Sequence, residues 1–246
     1  MKKEIYLQMN EIESNHWWFK GRRRIVEKTI ESLQLPLNPK ILDIGCGTGG
    51  NLSLLSRFGE VTGIELEDTA IEIARQKGIG TIHKGYLPDG ISQSEDKYDL
   101  IILLDVLEHI EDDLASLRKL KSMLTKRGQL IITVPAFPFL WSQHDVEHHH
   151  KRRYRLSNLK KCILDSGLYP RHITYYNIYL FPIISFVRIL RRIIPYKDAG
   201  QDVKIPNKFI NSILESLFSS ERKLVCNYKL PFGVSLLAVV QNNENF

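Results

Sequence analysis

Three closely spaced glycines follow a short apolar run in the first part of the chain. They are Gly45, Gly47 and Gly49, within the segment ILDIGCGTGG of residues 41–50. Glycine allows a tight turn and brings the backbone close to a ligand. A helix after the turn would present free N–H groups and a positive dipole end to an anionic group. The stretch also fits the GxGxxG pattern of dinucleotide sites, so it predicts a ligand-binding turn without choosing the ligand.

Two acidic residues indicate which kind of ligand that turn binds. Asp43 stands two residues before the first glycine, where it would repel a pyrophosphate but could hold a ligand's ammonium group. Glu65 ends the next apolar run, where an acid can accept hydrogen bonds from both hydroxyls of a ribose. The two carboxylates together favour a nucleoside ligand that also carries an ammonium group.

A dense group of titratable residues lies further along the chain. It comprises His144, Asp145, Glu147, His148, His149 and His150. Histidine suits general-base catalysis near neutral pH, so we predict His144 as a base that Asp145 orients. His109 is a second candidate base, or else packs beneath the ligand. His144 and His148 also have the spacing of a metal pair one helical turn apart, and a solvent-exposed loop is the third alternative. We predict no bound metal.

Aromatic and basic residues are adjacent near the N-terminus, where residues 17–19 (WWF) precede three arginines at 22–24. We predict a lid over the ligand or a contact with an acidic acceptor. The alternative is a short amphipathic helix that packs on a sheet. The predicted substrate-side and lid residues are Trp17, Trp18, Phe19, Arg23, His148 and Tyr154.

Alternating strand and helix patterns surround these residues. Strands are predicted over 40–44, 61–65, 81–83, 99–104, 129–134, 169–176 and 234–241. Helices are predicted over 50–58, 68–77, 112–124, 156–166, 178–194 and 206–219. Apolar strands that alternate with helices favour a parallel sheet covered on both faces, with ligands at the carboxyl ends of the strands. The glycines, Glu65 and the segment that starts at Asp105 fall at such ends, so we predict that they form one site.

The predicted fold is a Rossmann-like, doubly wound α/β sheet, mostly parallel with an antiparallel last strand. Residues 136–155 are predicted as an irregular insertion, part of a helical and irregular cap after the fifth strand. We predict one domain over 1–246. Its parts are an N-terminal lid (1–35), a cofactor-binding core (36–135), a substrate-side insertion with helices (136–230) and a final strand (231–246).

Composition indicates the cellular compartment and the possible membrane contacts of the chain. The chain has 246 residues and a formal net charge of +6. Its three cysteines show no CxxC spacing, which favours a reducing compartment, and we predict a cytoplasmic location. The apolar stretch at 178–186 is shorter than the roughly 20 residues that span a bilayer. Residues 178–194 are predicted to lie on a membrane surface, to cap the substrate pocket, or to form a buried helix with a basic edge.

Five ordered motifs resemble those of class I S-adenosylmethionine-dependent methyltransferases. They are DIGCGTG (43–49), GIEL (63–66), YDLI (98–101), DVLEHI (105–110) and KRGQLIITVP (126–135). The resemblance implies S-adenosyl-L-methionine as the cofactor. By position, it implies cofactor contacts from Asp43, Gly45, Cys46, Gly47, Glu65, Leu66, Asp105, Val106 and His109. Many members carry an acid after the third strand that bonds the adenine amino group. Tyr86 stands there in this chain, and the predicted alternatives are that Tyr86 covers the adenine or that backbone groups bond it.

Residues 16–24, 135–145 and 150–155 resemble bacterial methyltransferases whose genes accompany polysaccharide or natural-product synthesis. The resemblance implies methyl transfer, as O-methylation, to a small-molecule, glycan or lipid-linked acceptor, with a quinone or isoprenoid as the nearest alternative. A nicotinamide-dependent dehydrogenase and a non-catalytic nucleoside-binding module are alternatives from other classes. An AsnProProTyr-type signature is absent and the basic residues are scattered, so we predict no nucleic-acid partner.

Overall fold

A seven-stranded sheet organises the part of the chain that the computed structural model describes, residues 3–91, 96–193 and 205–242. The strands are β1 (Lys40–Ile44), β2 (Glu60–Glu65), β3 (Thr81–Lys84), β4 (Tyr98–Leu104), β5 (Leu124–Pro135), β6 (Leu168–Tyr176) and β7 (Ser235–Asn242). Their order is β3-β2-β1-β4-β5-β7-β6. β1 to β5 are parallel, and β7 lies antiparallel between β5 and β6. The predicted fold class is therefore confirmed.

Helices cover both faces of this sheet. They are α1 (Lys3–Ile12), α2 (Trp17–Glu31), α3 (Leu52–Leu55), α4 (Asp68–Gln76), α5 (Asp113–Met123), α6 (Gln143–Glu147), α7 (Leu156–Asp165), α8 (Phe181–Ile193), α9 (Lys208–Ser220) and α10 (Arg222–Asn227). β4 shows why two layers are needed, because its side chains are apolar on both sides. Leu100 and Ile102 pack with α2 and α4, whereas Ile101 and Leu103 pack with α5 and α7.

Two predicted elements have different bounds in the structure. The helix predicted over 50–58 is only the short α3, because the glycine turn continues to Asn51 and the chain must turn again at Gly59. A Cβ on Gly59 would lie 2.1 Å from the carbonyl oxygen of Pro39. β5 begins at Leu124 rather than at 129, because Leu124 pairs with Tyr98 before the register shifts and Gln129 pairs with Leu100.

The region after β5 is more regular than predicted. The predicted irregular insertion contains a 3-10 turn at Pro138–Leu140 and the short helix α6. The helix predicted over 178–194 is α8, and residue 194 lies outside the described residues. α10 has no counterpart in the sequence prediction. No helix in the described parts of the chain is long and apolar enough to cross a membrane.

Candidate active site

The glycine turn lies at the carboxyl end of β1. Gly45, Gly47 and Gly49 have φ values of 66°, 56° and 85°, which side chains other than glycine rarely adopt. A Cβ on Gly45 would lie 2.6 Å from a methyl carbon of Val106, so glycine is required for that approach. A Cβ on Gly47 would meet nothing within 4 Å. The turn thus contacts the segment after β4 and presents backbone to open space at Gly47.

Asp43 is a buried acid without a full set of partners. It is the penultimate residue of β1, and its Oδ2 has no hydrogen-bond partner in the described structure. Burial raises the pKa of its carboxyl group to about 7, while nearby Arg22 lowers that pKa and Glu65 raises it. An unpaired buried acceptor at this edge of the sheet fits the ammonium group of a ligand.

Glu65 holds the turn from the end of the neighbouring strand. One carboxylate oxygen accepts from Gly47 N at 2.9 Å, and the other accepts from Leu66 N at 2.8 Å and Glu67 N at 3.1 Å. Leu66 and Tyr86 follow the paired strands β2 and β3, and about half of each side chain is exposed. This edge therefore offers one acid flanked by accessible apolar groups.

The N-terminal helices reach the same edge through residues that the sequence analysis did not select. Arg22 forms an ion pair with Asp105, and its guanidinium lies 4.5 Å from the ring centroid of Trp18. Arg23 instead donates to the backbone oxygen of Glu13 at 2.7 Å. The i, i+4 spacing of Trp18 and Arg22 on one helix was the available signal, because such residues share a helix face.

Glu13 ties the end of α1 to the glycine turn. Its carboxylate accepts from Thr48 Oγ1 at 3.0 Å and pairs with Lys77 Nζ at 2.6 Å. A Cβ on Gly50 would lie 2.2 Å from Glu13 Oε2, so the contact depends on that glycine. Thr48 lies 35 residues away in sequence, and no local pattern indicated this contact.

The aromatic residues at 17–19 have different surroundings. Trp17 packs edge-on against Phe218 of α9, with ring centroids 5.8 Å apart. Trp18 stacks under Arg22 and meets Phe19 edge-on at 5.2 Å. Trp18 and Phe19 are thus the members of the predicted lid that adjoin the arginine over the site, whereas Trp17 contributes to helix packing.

Four histidines after β4 and β5 form a cluster. The rings of His109 and His150 are 4.7 Å apart, and those of His144 and His148 are 4.2 Å apart. Burial, with the neighbouring histidines, lowers the pKa of His109 and of His144 to about 3 and that of His148 to about 4. These three rings are therefore neutral at pH 7 and keep a lone pair.

Asp145 orients His150 and not His144. Its Oδ1 lies 2.8 Å from His150 Nδ1 and 2.7 Å from Arg153 Nε, and its Oδ2 accepts from Ser142 N in a capping box. Burial alone would raise the pKa of this carboxyl group, but the bonds from His150 and Arg153 hold it below its usual range. The sequence signal for this role was the Ser-x-x-Asp spacing at the start of α6.

Tyr154 and Glu108 are both buried, in different settings. The Tyr154 hydroxyl donates to Asp113 Oδ2 at 2.8 Å, which places Tyr154 in the core rather than among the histidines. Glu108 is completely buried, and neither of its carboxylate oxygens has a hydrogen-bond partner among the described residues. Burial raises its pKa well above the usual value. Among those residues, the group with metal-ligand spacing consists of Glu108, His109 and His150.

Comparison with known proteins agrees with this fold. The model of the methyltransferase domain family matches residues 17–177. Ubiquinone biosynthesis O-methyltransferases of Hydrogenovibrio crunogenus and Bartonella quintana are 34% and 29% identical over 40% and 39% of this chain. The matches cover 47% and 41% of those proteins, so the chain spans less than half of their length.

Solved structures show the same architecture at low identity. A TehB-like S-adenosylmethionine-dependent methyltransferase from Corynebacterium glutamicum has a TM-score of 0.55 and 18% identity, over 91% of this chain and 88% of its own. The plantazolicin methyltransferase BamL, solved with S-adenosylhomocysteine (SAH), has a TM-score of 0.58 and 17% identity, over 97% and 88%. The chain belongs to the methyltransferase domain family and has the class I fold, whose cofactor is S-adenosyl-L-methionine.

Proposed function

We propose that this protein transfers a methyl group from S-adenosyl-L-methionine to an oxygen atom of a small-molecule, glycan or lipid-linked acceptor. The observation that carries the proposal is the unpaired, buried Oδ2 of Asp43 beside a turn that is open at Gly47. The cofactor supplies an already activated methyl group on its sulfonium. The protein must therefore align the reactants and accept the acceptor's proton.

The cofactor contacts follow from the side chains at this edge. We propose that Asp43 accepts from the cofactor's ammonium group, and that Glu65 accepts from the ribose hydroxyls. The exposed Leu66 and Tyr86 flank the adenine in this proposal, because they follow adjacent strands. The remaining cofactor-lining residues are Gly45, Cys46, Gly47, Asp105, Val106 and His109.

Calorimetric titration with SAH tests these contacts. Asp43→Ala and Glu65→Ala should each weaken binding more than tenfold, about 1.4 kcal/mol. Glu60→Ala is the matched control, because Glu60 is an exposed acid at the opposite end of β2. Absence of SAH binding by the folded wild-type protein, with NADH bound instead, would overturn the proposal and favour the dehydrogenase alternative.

We propose that the adjacent pair His144 and His148 accepts the acceptor's proton, with His109 as the second candidate base. Support comes from their position after β5 and from the 4.2 Å between the two ring centroids. Asp145 is then a positioning residue that acts through His150. The O-methyltransferase names of the relatives favour oxygen as the methylated atom.

The base is tested with S-adenosylmethionine that carries a radiolabelled methyl group, mixed with a bacterial extract. His144→Asn and His148→Asn should lower methyl incorporation, with about 10²-fold as the scale for a lost general base, while SAH affinity stays unchanged. His149→Asn is the control, because His149 is exposed. Label in the organic phase would favour a lipid-linked or quinone acceptor, and label in the aqueous phase a glycan or other polar acceptor. Unchanged incorporation in both variants would assign the base to His109.

We infer that α8 lies on a membrane surface, which would bring the site to a lipid-linked acceptor. Ile183 and Phe186, one turn apart, are 63% and 65% exposed, and Leu190 continues the same stripe. A helix with an exposed apolar face of this kind suits insertion among lipid headgroups.

Sedimentation with phosphatidylglycerol-containing vesicles tests this contact. The double variant Ile183→Ser/Phe186→Ser should weaken binding about tenfold or more, because each buried side chain contributes about 1.5–3 kcal/mol. Leu164→Ser is the control, since Leu164 is a similarly exposed apolar residue on α7. Equal binding by the wild type and the double variant would exclude α8 as the contact.

A further inference from the structure

We propose that Glu108, His109 and His150 form a site for one divalent transition-metal ion of the zinc class. One ligand atom from each residue lies within 4.8 Å of the other two, and small side-chain adjustments would bring all three to bonding distance of one ion. The chain brings them together because Glu108 and His109 form the 3-10 turn after β4, while His150 follows α6. This proposal does not depend on the proposed methyl transfer.

The carboxylate of Glu108 needs a partner that the described residues do not supply. Both of its oxygens are buried and unbonded, and a buried unpaired acid is costly. The side chains of Arg22 and Arg153 do not hydrogen-bond to this carboxylate. A cation bound between the carboxylate and the two imidazoles would satisfy the acid directly.

His150 has the outer partner that metal-binding imidazoles usually have. Its Nδ1 lies 2.8 Å from Asp145 Oδ1, which also accepts from Arg153 Nε at 2.7 Å, so the carboxylate fixes that nitrogen as the donor. His150 Nε2 is therefore the nitrogen with a free lone pair. The ring of His109 lies 4.7 Å from that of His150, centroid to centroid, which brings a second imidazole to the same point.

The donor set indicates the class of metal. Two imidazole nitrogens and one carboxylate suit Zn²⁺, Co²⁺ or Fe²⁺, whereas Mg²⁺ and Ca²⁺ prefer oxygen ligands. Three protein ligands leave a position open for water or another ligand. The site lies on the segment that begins at Asp105 and Val106, next to the glycine turn.

Metal uptake by the full chain tests the proposal directly. The apo protein, prepared with a chelator, should bind one equivalent of Zn²⁺ in competition with a chromogenic chelator. Co²⁺ should give visible absorption bands of a four- or five-coordinate site. Glu108→Gln and His150→Gln should each weaken Zn²⁺ binding at least tenfold, and His149→Gln should not, because the His149 side chain is exposed and outside the group.

Circular dichroism shows whether Glu108→Gln and His150→Gln fold. If either does not, His109→Gln is tested in its place. The proposal is overturned if the wild type takes up no Zn²⁺ or Co²⁺. It is also overturned if His144→Gln and His148→Gln abolish uptake while Glu108→Gln retains it, because the ion would then be held by the other histidine pair.

Discussion

At the scale of the residue, Asp43 must be ionised to bind an ammonium group, but its ionised form lowers the stability of the folded protein. Its pKa of about 7 in the folded protein is above that of an unfolded chain, about 3.9. Between these two values the unfolded state binds fewer protons than the folded state. The free energy of unfolding therefore decreases as pH rises from about 4 to about 7, and the stability that protonation provides is lost above that range.

We accordingly expect Asp43→Asn to stabilise the ligand-free protein while it removes SAH binding. The gain should be on the order of 1–4 kcal/mol at pH 8 and smaller at pH 5, because the ionised form is the one that burial disfavours. Thermal unfolding at both pH values measures it. Asp68→Asn, at an exposed acid of α4, is the control and should show no such pH difference. A destabilised variant that still binds SAH would contradict the argument.

The same pKa predicts the pH dependence of cofactor affinity. Below pH 7 Asp43 is mostly protonated, so it must release a proton before it accepts from an ammonium group. SAH affinity should therefore rise about fivefold from pH 6 to pH 7, reach about tenfold its pH 6 value by pH 8, and level off above that. Calorimetry in buffers of different ionisation enthalpy would also detect the released proton. An affinity that is constant over this range would mean that Asp43 does not bind the ammonium group.

At the scale of the element, the position of α2 depends on one close contact. A Cβ on Gly21 would lie 2.3 Å from the ring of Phe218, which is fully buried between α9 and the sheet. Alanine would favour the helix by about 1 kcal/mol, but overpacking a buried ring costs about 1–3 kcal/mol. The steric cost at Phe218 should therefore exceed the gain in helix propensity.

Gly21→Ala is expected to lower the free energy of unfolding and to weaken SAH binding, because α2 carries Arg22 to the site. Urea denaturation measures the first effect. Lys28→Ala is the control on the same helix, since Lys28 forms only an exposed pair with Glu31 and should change stability by less than about 0.5 kcal/mol. A variant as stable as the wild type would show that α9 accommodates the methyl group.

At the scale of the whole molecule, α1 reaches the glycine turn through Glu13, and α2 packs on α9. Ligand binding should therefore change the stability of segments that are distant in sequence. At 100 times its dissociation constant, SAH should add about 2.7 kcal/mol to stability.

Hydrogen exchange should show which segments become more stable when SAH binds. We expect SAH to slow amide exchange in α1 and the glycine turn, and Glu13→Gln to reduce the effect in α1 while it persists in the turn. Glu11→Gln, at an acid of the same helix that is exposed, is the control. Protection confined to the turn in the wild type would show that α1 does not respond to the ligand.

The sequence by itself determined the alternation of strands and helices in the core and the position of the glycine turn at the carboxyl end of β1. Those features depend on local signals: apolar runs of strand length, helical spacing of apolar residues, and glycines beside Asp43 and Glu65. Each signal lies within a few residues of the element that it predicts, so the chain's own periodicity is sufficient. The wrong bounds, at α3 and β5, arose where a neighbouring strand or turn sets the end of an element.

The tertiary structure alone decided which charged residues meet. Arg22 rather than Arg23 reaches the site, and its partner Asp105 is 83 residues away. Asp145 hydrogen-bonds His150 because α6 and its cap direct the carboxylate towards that ring. Glu108 gains two imidazole neighbours only after the segments that follow β4 and β5 pack together. Such contacts depend on how separate elements pack, which spacing along a single chain does not specify.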